Sequence, residues 1–251
     1  PEPMPVDVAP ETEVKPFFNW LQDPNSEKPV AALTFIRGTV FPDGRMDFCK
    51  QVTGNKHIAS LCQSVKANVL QTGHIQHFLL GNNVACDGDD IKAAQAMADL
   101  IQDPKIPIKT WYLAGNEIGP KCIDILCQAF EKDNSTTALW LKRNPVGPLG
   151  AQRLGQMLKI NSSIHTLDLH NCGLLDEGVS KFVSACTNDG KALSGLKHLY
   201  LDANGITEKG AEYLVPLIKL NSQNLESIFL GINQINDKGI ILIAEAFGES
   251  K

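Results

Sequence analysis

The chain has 251 residues, of which 20% are charged, and its formal net charge is -5. This acidic balance argues against nucleic acid or an anionic membrane as a main partner, because both bind basic surfaces. No run approaches the roughly 18 apolar residues needed to span a bilayer, and no apolar secretory segment opens the chain. We therefore expect one extended domain that binds neither nucleic acid nor membrane.

The seven cysteines form no CxxC pair, and their odd number means that they cannot all pair with one another. This pattern predicts an intracellular, reducing compartment, and we expect a cytoplasmic protein. We predict no redox or metal-binding role for these cysteines, because no pair has the spacing of metal ligands. The set comprises Cys49, Cys62, Cys86, Cys122, Cys127, Cys172 and Cys186.

Residues 1–29 hold seven of the fourteen prolines, with acidic residues between them. Such a composition predicts a Pro-rich acidic leader that is largely extended or disordered. The apolar cluster at residues 17–21 is the exception, since a solvated tail does not need one. We favour a strap that covers the exposed end of the following domain, and a short peptide motif for a partner is the alternative.

Residues 30–70 predict an N-terminal capping unit made of a hairpin and a helix. Two apolar stretches, 31–40 and 46–49, flank a turn signal at 41–44 that has Asp-Gly at its tip, which favours a β-hairpin. Residues 57–69 then carry apolar side chains at the i, i+3, i+4, i+7 spacing of an amphipathic helix.

Residues 71–251 contain six copies of the phrase LxxLxLxxN. Their ninth positions are 83, 116, 144, 172, 204 and 233, so that the steps are 33, 28, 28, 32 and 29 residues. In the first copy the ninth residue could be Asn82, but Asn83 places Ile75, Phe78 and Leu80 inside and is preferred. We expect the strand leucines to point into a stacked core, and the asparagine amide to bond backbone groups of the neighbouring coil.

Helical patterns follow the phrases, at about 88–102, 120–132, 148–160, 177–188, 208–220 and 238–247. A fixed alternation of strand and helix predicts an α/β solenoid with a parallel sheet on one side and helices on the other. The sheet side is concave and the helical side convex, because helices are wider than strands.

The Asn-x-Ile or Asn-x-Val step and the punctuation at 116–119, 207–210 and 237–239 resemble the ribonuclease-inhibitor-like subclass of leucine-rich repeats over residues 75–249. The irregular steps depart from the strict 28/29 alternation of that inhibitor itself. The resemblance implies a right-handed leucine-rich-repeat solenoid in which concave and loop residues engage a bound protein.

Side chains at the fifth position of each phrase are expected on the concave face, because strand side chains alternate. Four of these six positions are aromatic, although aromatic residues make up only 6% of the chain. We interpret the column as a partner-binding stripe, since aromatic residues are enriched at binding hot spots. The alternative is that the rings only stabilise the sheet. The column is Leu79, Tyr112, Trp140, Asp168, Tyr200 and Phe229.

Charged residues lie beside this stripe and are expected to orient a docking partner more than they add affinity. They are Lys142, Arg143, Asp168, His170, His198 and Asp202. Together with Tyr112, Trp140, Tyr200 and Phe229 they form the predicted partner-binding site. The sequence thus predicts a non-catalytic protein-interaction module or scaffold, with no cofactor and an unidentified protein partner.

Two alternatives stay open. The quartet Asp168, His170, His198 and Asp202 could bind a divalent metal or run hydrolytic chemistry, although an open sheet offers no dry pocket. The last repeat, with Phe229 or Ile232 at its edge and no polar capping coil after it, could support self-association. Self-association requires that terminal flank, whereas recognition of another protein requires the concave column.

Overall fold

The computed structural model describes residues 7–86 and 90–248. In these ranges strands and helices alternate strictly from the fourth strand onward. The helices are α1 Glu11–Gln22, α2 Gly54–Thr72, α3 Lys92–Ile101, α4 Pro120–Phe130, α5 Gly147–Ile160, α6 Leu175–Thr187, α7 Glu208–Leu220 and α8 Asn236–Gly248. The strands are β1 Leu33–Thr34, β2 Thr39–Val40, β3 Arg45–Asp47, β4 His77–Leu79, β5 Thr110–Tyr112, β6 Ala138–Trp140, β7 Thr166–Asp168, β8 His198–Tyr200 and β9 Ser227–Phe229.

All nine described strands form one open sheet in sequence order. Strands β1 to β3 pair antiparallel, and β3 to β9 pair parallel. Each helix packs on the next one along the chain, as expected for a repeat in which each unit contacts only its neighbours. The predicted α/β leucine-rich-repeat solenoid is confirmed. We call the sheet face opposite the helices the concave face.

The register keeps equal phrase positions side by side, so the columns read from the sequence are physical columns. Trp140 of β6 lies opposite Asp168 of β7, which lies opposite Tyr200 of β8. The middle residue of each strand from β4 to β8, such as Leu167 or Leu199, is buried towards the helices. Its two strand neighbours therefore face the concave side.

The ninth residues of the phrases form a buried hydrogen-bonded ladder between adjacent coils. Asn83 is fully buried, and its Nδ2 donates to the carbonyl oxygens of Phe48 and Leu80 at 2.7 and 3.0 Å. The next rung, Asn116, accepts the backbone N–H of Asn83 at 2.9 Å. The preference for Asn83 over Asn82 as the ninth residue is thereby confirmed.

The predicted hairpin is present, since β2 and β3 pair antiparallel on either side of residues 41–44. Helix α2 is longer than the 57–69 prediction by a few residues at each end, and the later helices start and end within a few residues of the predicted bounds. The predicted start of the helix at 88 lies outside the described residues. None of the described helices combines the length and apolarity needed to span a bilayer.

The prediction of an extended or disordered leader is wrong for residues 11–22, which form α1. Most of the prolines flank this segment, with Pro10 directly before the helix and only Pro16 within it. Two acidic residues in the first turn stabilise α1, because their negative charges interact favourably with the positive end of the helix dipole. Phe17 and Leu21 are fully buried, and the Phe17 ring lies 5.1 Å from that of Phe48. Burial of this apolar cluster stabilises α1. The division of the chain into leader, capping unit and repeats stays a prediction.

Candidate protein-binding face

Four aromatic rings form a continuous row across the concave face, which we call the aromatic row. The ring centroids of Tyr112 and Trp140 lie 6.3 Å apart, and those of Trp140 and Tyr200 lie 5.7 Å apart. Tyr200 and Phe229 are stacked, with centroids 4.1 Å apart and ring planes at 6°. The sequence-predicted stripe is thus brought together, but its rings also pack on one another.

The Trp140–Tyr200 contact crosses an intervening strand. These residues belong to β6 and β8, and Asp168 of β7 lies between them. Asp168 is only 3% exposed, so it presents little charge to a docking partner. Its Oδ1 accepts the backbone N–H of His170 at 2.8 Å. Burial raises the pKa of Asp168, opposed by that hydrogen bond and by the charge of Lys142.

Lys142 follows β6 and turns its ammonium group onto the aromatic row. Its Nζ lies 5.4 Å from the centroid of Tyr112 and 5.9 Å from that of Trp140, within the range of cation–π attraction. Arg143 is exposed, and its guanidinium donates to Asn82 Oδ1 at 3.2 Å. Two predicted basic residues thus lie at the same edge of the row, with Lys142 against the rings and Arg143 in the adjoining loop.

The charges of His170 and Asp202 both act on Asp168, whereas His198 and Asp202 each have a separate hydrogen-bond partner. The Nδ1 of His198 is hydrogen-bonded to Ser227 Oγ at 2.9 Å, and its Nε2 lies 3.8 Å from Glu226. Asp202 Oδ1 accepts the backbone N–H of Gly231 at 2.8 Å. Within the described ranges no three His, Cys, Asp or Glu side chains are grouped so that they could hold a metal ion.

Sequence reasoning missed Glu226, which lies just before β9 and outside the columns considered. It accepts a salt bridge from Lys197 at 3.0 Å, and this interaction lowers the pKa of its carboxyl group. The signal was present in the sequence, because Lys197 and Glu226 occupy equivalent positions of neighbouring phrases. The pair extends the charged rim of the concave face.

The cysteines near this face are poor candidates for nucleophiles. Burial raises the pKa of Cys49 and of Cys172 to about 12, so that both thiols stay protonated at neutral pH and a thiolate is scarce. The hydrolytic alternative therefore draws no support from them. The reducing compartment stays a prediction.

The last described repeat exposes apolar side chains. Phe229 is 41% exposed, Ile232 is 81% exposed, and Ile240 and Ile241 of α8 are each 54% exposed. These residues match the predicted apolar flank. Self-association through this flank stays a prediction, which the concentration dependence of the mass measured by light scattering would test.

The fold and the ladder are those of a leucine-rich-repeat solenoid, and the phrases are similar to those of the ribonuclease-inhibitor-like subclass. A family model described as Leucine Rich repeat matches residues 161–183. This range includes β7 and the first part of α6.

Among curated proteins, the human and rat leucine-rich repeat-containing protein 73 are each 26% identical over 181 residues, or 72% of this chain. The pig ribonuclease inhibitor is 26% identical over 55% of this chain and 29% of its own length. The chain spans about half, 54%, of the length of protein 73.

Two solved structures resemble this chain in fold alone. The tropomodulin C-terminal domain of Caenorhabditis elegans has a TM-score of 0.49 at 12% identity and covers 62% of this chain and 92% of its own. The actin-binding site 2 of leiomodin-1 has a TM-score of 0.45 at 13% identity and covers 65% of this chain and 91% of its own.

Proposed function

We propose that this protein is a non-catalytic interaction module that binds a partner protein on its concave face. The aromatic row carries this proposal, because it concentrates Tyr, Trp and Phe on one sheet face, and a solvated sheet face does not require Trp or Tyr. All of these rings supply large apolar area, and Tyr and Trp also carry a polar group and are enriched at binding hot spots.

The surroundings of the row support a protein partner rather than a small molecule. The row lies on an open sheet, whereas small-molecule sites are typically enclosed clefts. Charges of both signs flank the row, since Lys142 follows β6 and Asp202 follows β8. Such an arrangement orients a docking protein. One relative is itself named as an inhibitor of a protein, ribonuclease.

The test is affinity capture with the double variant Trp140→Ala/Tyr200→Ala. Each hot-spot aromatic contributes about 2 kcal/mol or more, so we expect partner recovery to fall by at least about tenfold. The matched control is Leu149→Ala, an apolar truncation at an exposed position of the helical side. Circular dichroism and thermal unfolding of all variants verify that each is folded.

Partners that are lost with the double variant and retained with Leu149→Ala support the concave face as the binding surface. Unchanged capture by a folded double variant would show that the rings serve only sheet packing. Loss with both variants would place the binding surface on the helical side or across both sides.

A further inference from the structure

The Trp140 and Tyr200 rings close over a carboxylate, and we call this arrangement the Trp140–Tyr200 cleft. Two strand spacings of about 4.8 Å separate the backbones of β6 and β8 by about 9.6 Å. The ring centroids are nevertheless only 5.7 Å apart. The rings therefore lean towards each other above Asp168, and side-chain rotation alone could open a slot between them.

Asp168 at the floor of this cleft is incompletely paired. Its Oδ1 accepts one hydrogen bond from the backbone of His170, and no described residue donates to Oδ2. Asp168 as a whole residue is only 3% exposed, but its Oδ2 is not a fully buried unpaired atom and so keeps some access to solvent. A cationic donor that entered from the concave side would pair with this oxygen.

The aromatic row already attracts one cation from the protein itself. The Lys142 ammonium lies within 6 Å of two ring centroids, although its flexible side chain could extend into water. This internal contact shows which ligand chemistry the faces of these rings favour. It involves Tyr112 and Trp140, and so leaves the gap between Trp140 and Tyr200 available.

We propose that the Trp140–Tyr200 cleft receives an arginine side chain of the partner protein, with the guanidinium group between the two rings and its N–H groups directed at Asp168 Oδ2. This inference rests on the proposed function and names the chemistry of the partner.

Arginine fits the cleft better than other cations do. A planar group that contacts a ring on each face needs about 7 Å between the rings, two contacts of about 3.5 Å. That separation lies between the present 5.7 Å and the 9.6 Å backbone spacing, so no backbone movement is required. Guanidinium stacks on aromatic faces and presents N–H donors along its edge, whereas an ammonium group is compact and strongly hydrated.

Lys142 opposes this arrangement. Its charge acts on Asp168, and it would repel a second cation in the cleft. Removal of this charge should therefore strengthen arginine binding.

The experiment is a nuclear magnetic resonance titration of the full chain, which follows the indole N–H signals of its three tryptophans. The probe is the peptide acetyl-Gly-Arg-Gly-amide, compared with peptides that carry citrulline, lysine or trimethyllysine in place of arginine. Citrulline keeps the shape of arginine without its charge. Trp140→Phe assigns the signal, and the buried Trp111 is an internal reference.

We expect a saturable shift of the Trp140 signal with the arginine peptide, and affinity for the citrulline and lysine peptides that is lower by about tenfold, because charge and planarity both contribute. Asp168→Asn keeps the side-chain size and an acceptor for the His170 N–H, and should weaken arginine binding by about tenfold. Lys142→Gln should strengthen it several-fold, and Leu149→Ala should leave it unchanged.

An absent shift, equal binding of the citrulline peptide, tighter binding of the trimethyllysine peptide, or no effect of Asp168→Asn would each overturn the inference. So would weaker binding by Lys142→Gln. The proposed function fails separately, in the capture experiment, so that a protein-binding concave face without an arginine receptor would be recognised.

Discussion

Asn144→Ala should destabilise the solenoid strongly, because this side chain in a turn is buried. The Nδ2 of Asn144 donates to the carbonyl oxygens of Leu113 and Leu141 at 2.9 and 2.7 Å. Its Oδ1 accepts the backbone N–H groups of Asn116 and Ile118 at 2.8 and 3.1 Å. Four backbone groups thus lose a partner, at about 1 to 3 kcal/mol for each that stays buried and unsatisfied. We expect a loss of about 4 kcal/mol or more.

Cys172→Ala provides the matched control, because Cys172 fills the same ladder position in the next repeat. Its sulfur reaches the Leu141 carbonyl oxygen at 3.3 Å, and thiols are weak donors, so we expect its loss to cost about 1 kcal/mol. Urea unfolding followed by circular dichroism measures both variants. Losses that agree within about 1 kcal/mol would refute the assignment of the asparagines as the hydrogen-bonded ladder.

Three further predictions concern the N-terminal helix, a helix contact and the buried carboxylate. Phe17→Ala should lower the free energy of unfolding by about 3 to 5 kcal/mol, because the ring is fully buried. Limited proteolysis of this variant should then cut the chain near α1, and a chain that stays uncut would contradict the prediction. Gly155→Ala should cost about 1 to 3 kcal/mol despite the better helix propensity of alanine, because the new methyl group would meet the Phe182 carbonyl oxygen at 2.7 Å; unchanged urea unfolding would contradict that packing. Asp168→Asn should be more stable than the parent protein at neutral pH, because burial raises the pKa of Asp168 in the folded state and its ionised form therefore destabilises the fold. As the pH falls, protonation of Asp168 relieves this destabilisation, so the difference in stability between the two proteins should shrink. A difference that grows on acidification would show that the sign is wrong.

The repeat region could be predicted from the sequence because one periodicity specifies two structural features together. The alternation inside each phrase determines which side chains face the concave side, and the fixed ninth residue sets the register between coils. Asn83 illustrates this, since only that choice keeps both Phe78 and Leu80 buried. Columns of residues on the sheet followed directly.

The N-terminal helix was mispredicted because composition and packing pointed in different directions. Proline counts over 29 residues favour an extended chain, but folding depends on where each proline falls, and Pro16 alone lies inside α1. The cluster at 17–21 was the better signal, because burial of Phe17 against Phe48 and Phe35 offsets the poor local propensity.

The order of side chains along the fifth-position column was predictable from the sequence, but their conformation was not; that they bind a partner stays a proposal. Column analysis placed Trp140, Asp168 and Tyr200 side by side, as the register confirms. It could not show that the two rings meet above the aspartate, because that contact depends on side-chain rotamers. Asp168 is for this reason buried, although its position in the column is on the concave face.

Photo-crosslinking tests the central claim, that the concave face binds a protein, most directly. A benzophenone amino acid at Ala138, on the concave face, is compared with one at Gln156, exposed on α5, in cells that express the protein. The account predicts a discrete cross-linked protein adduct from position 138 and none from position 156. Adducts from position 156 alone would contradict it.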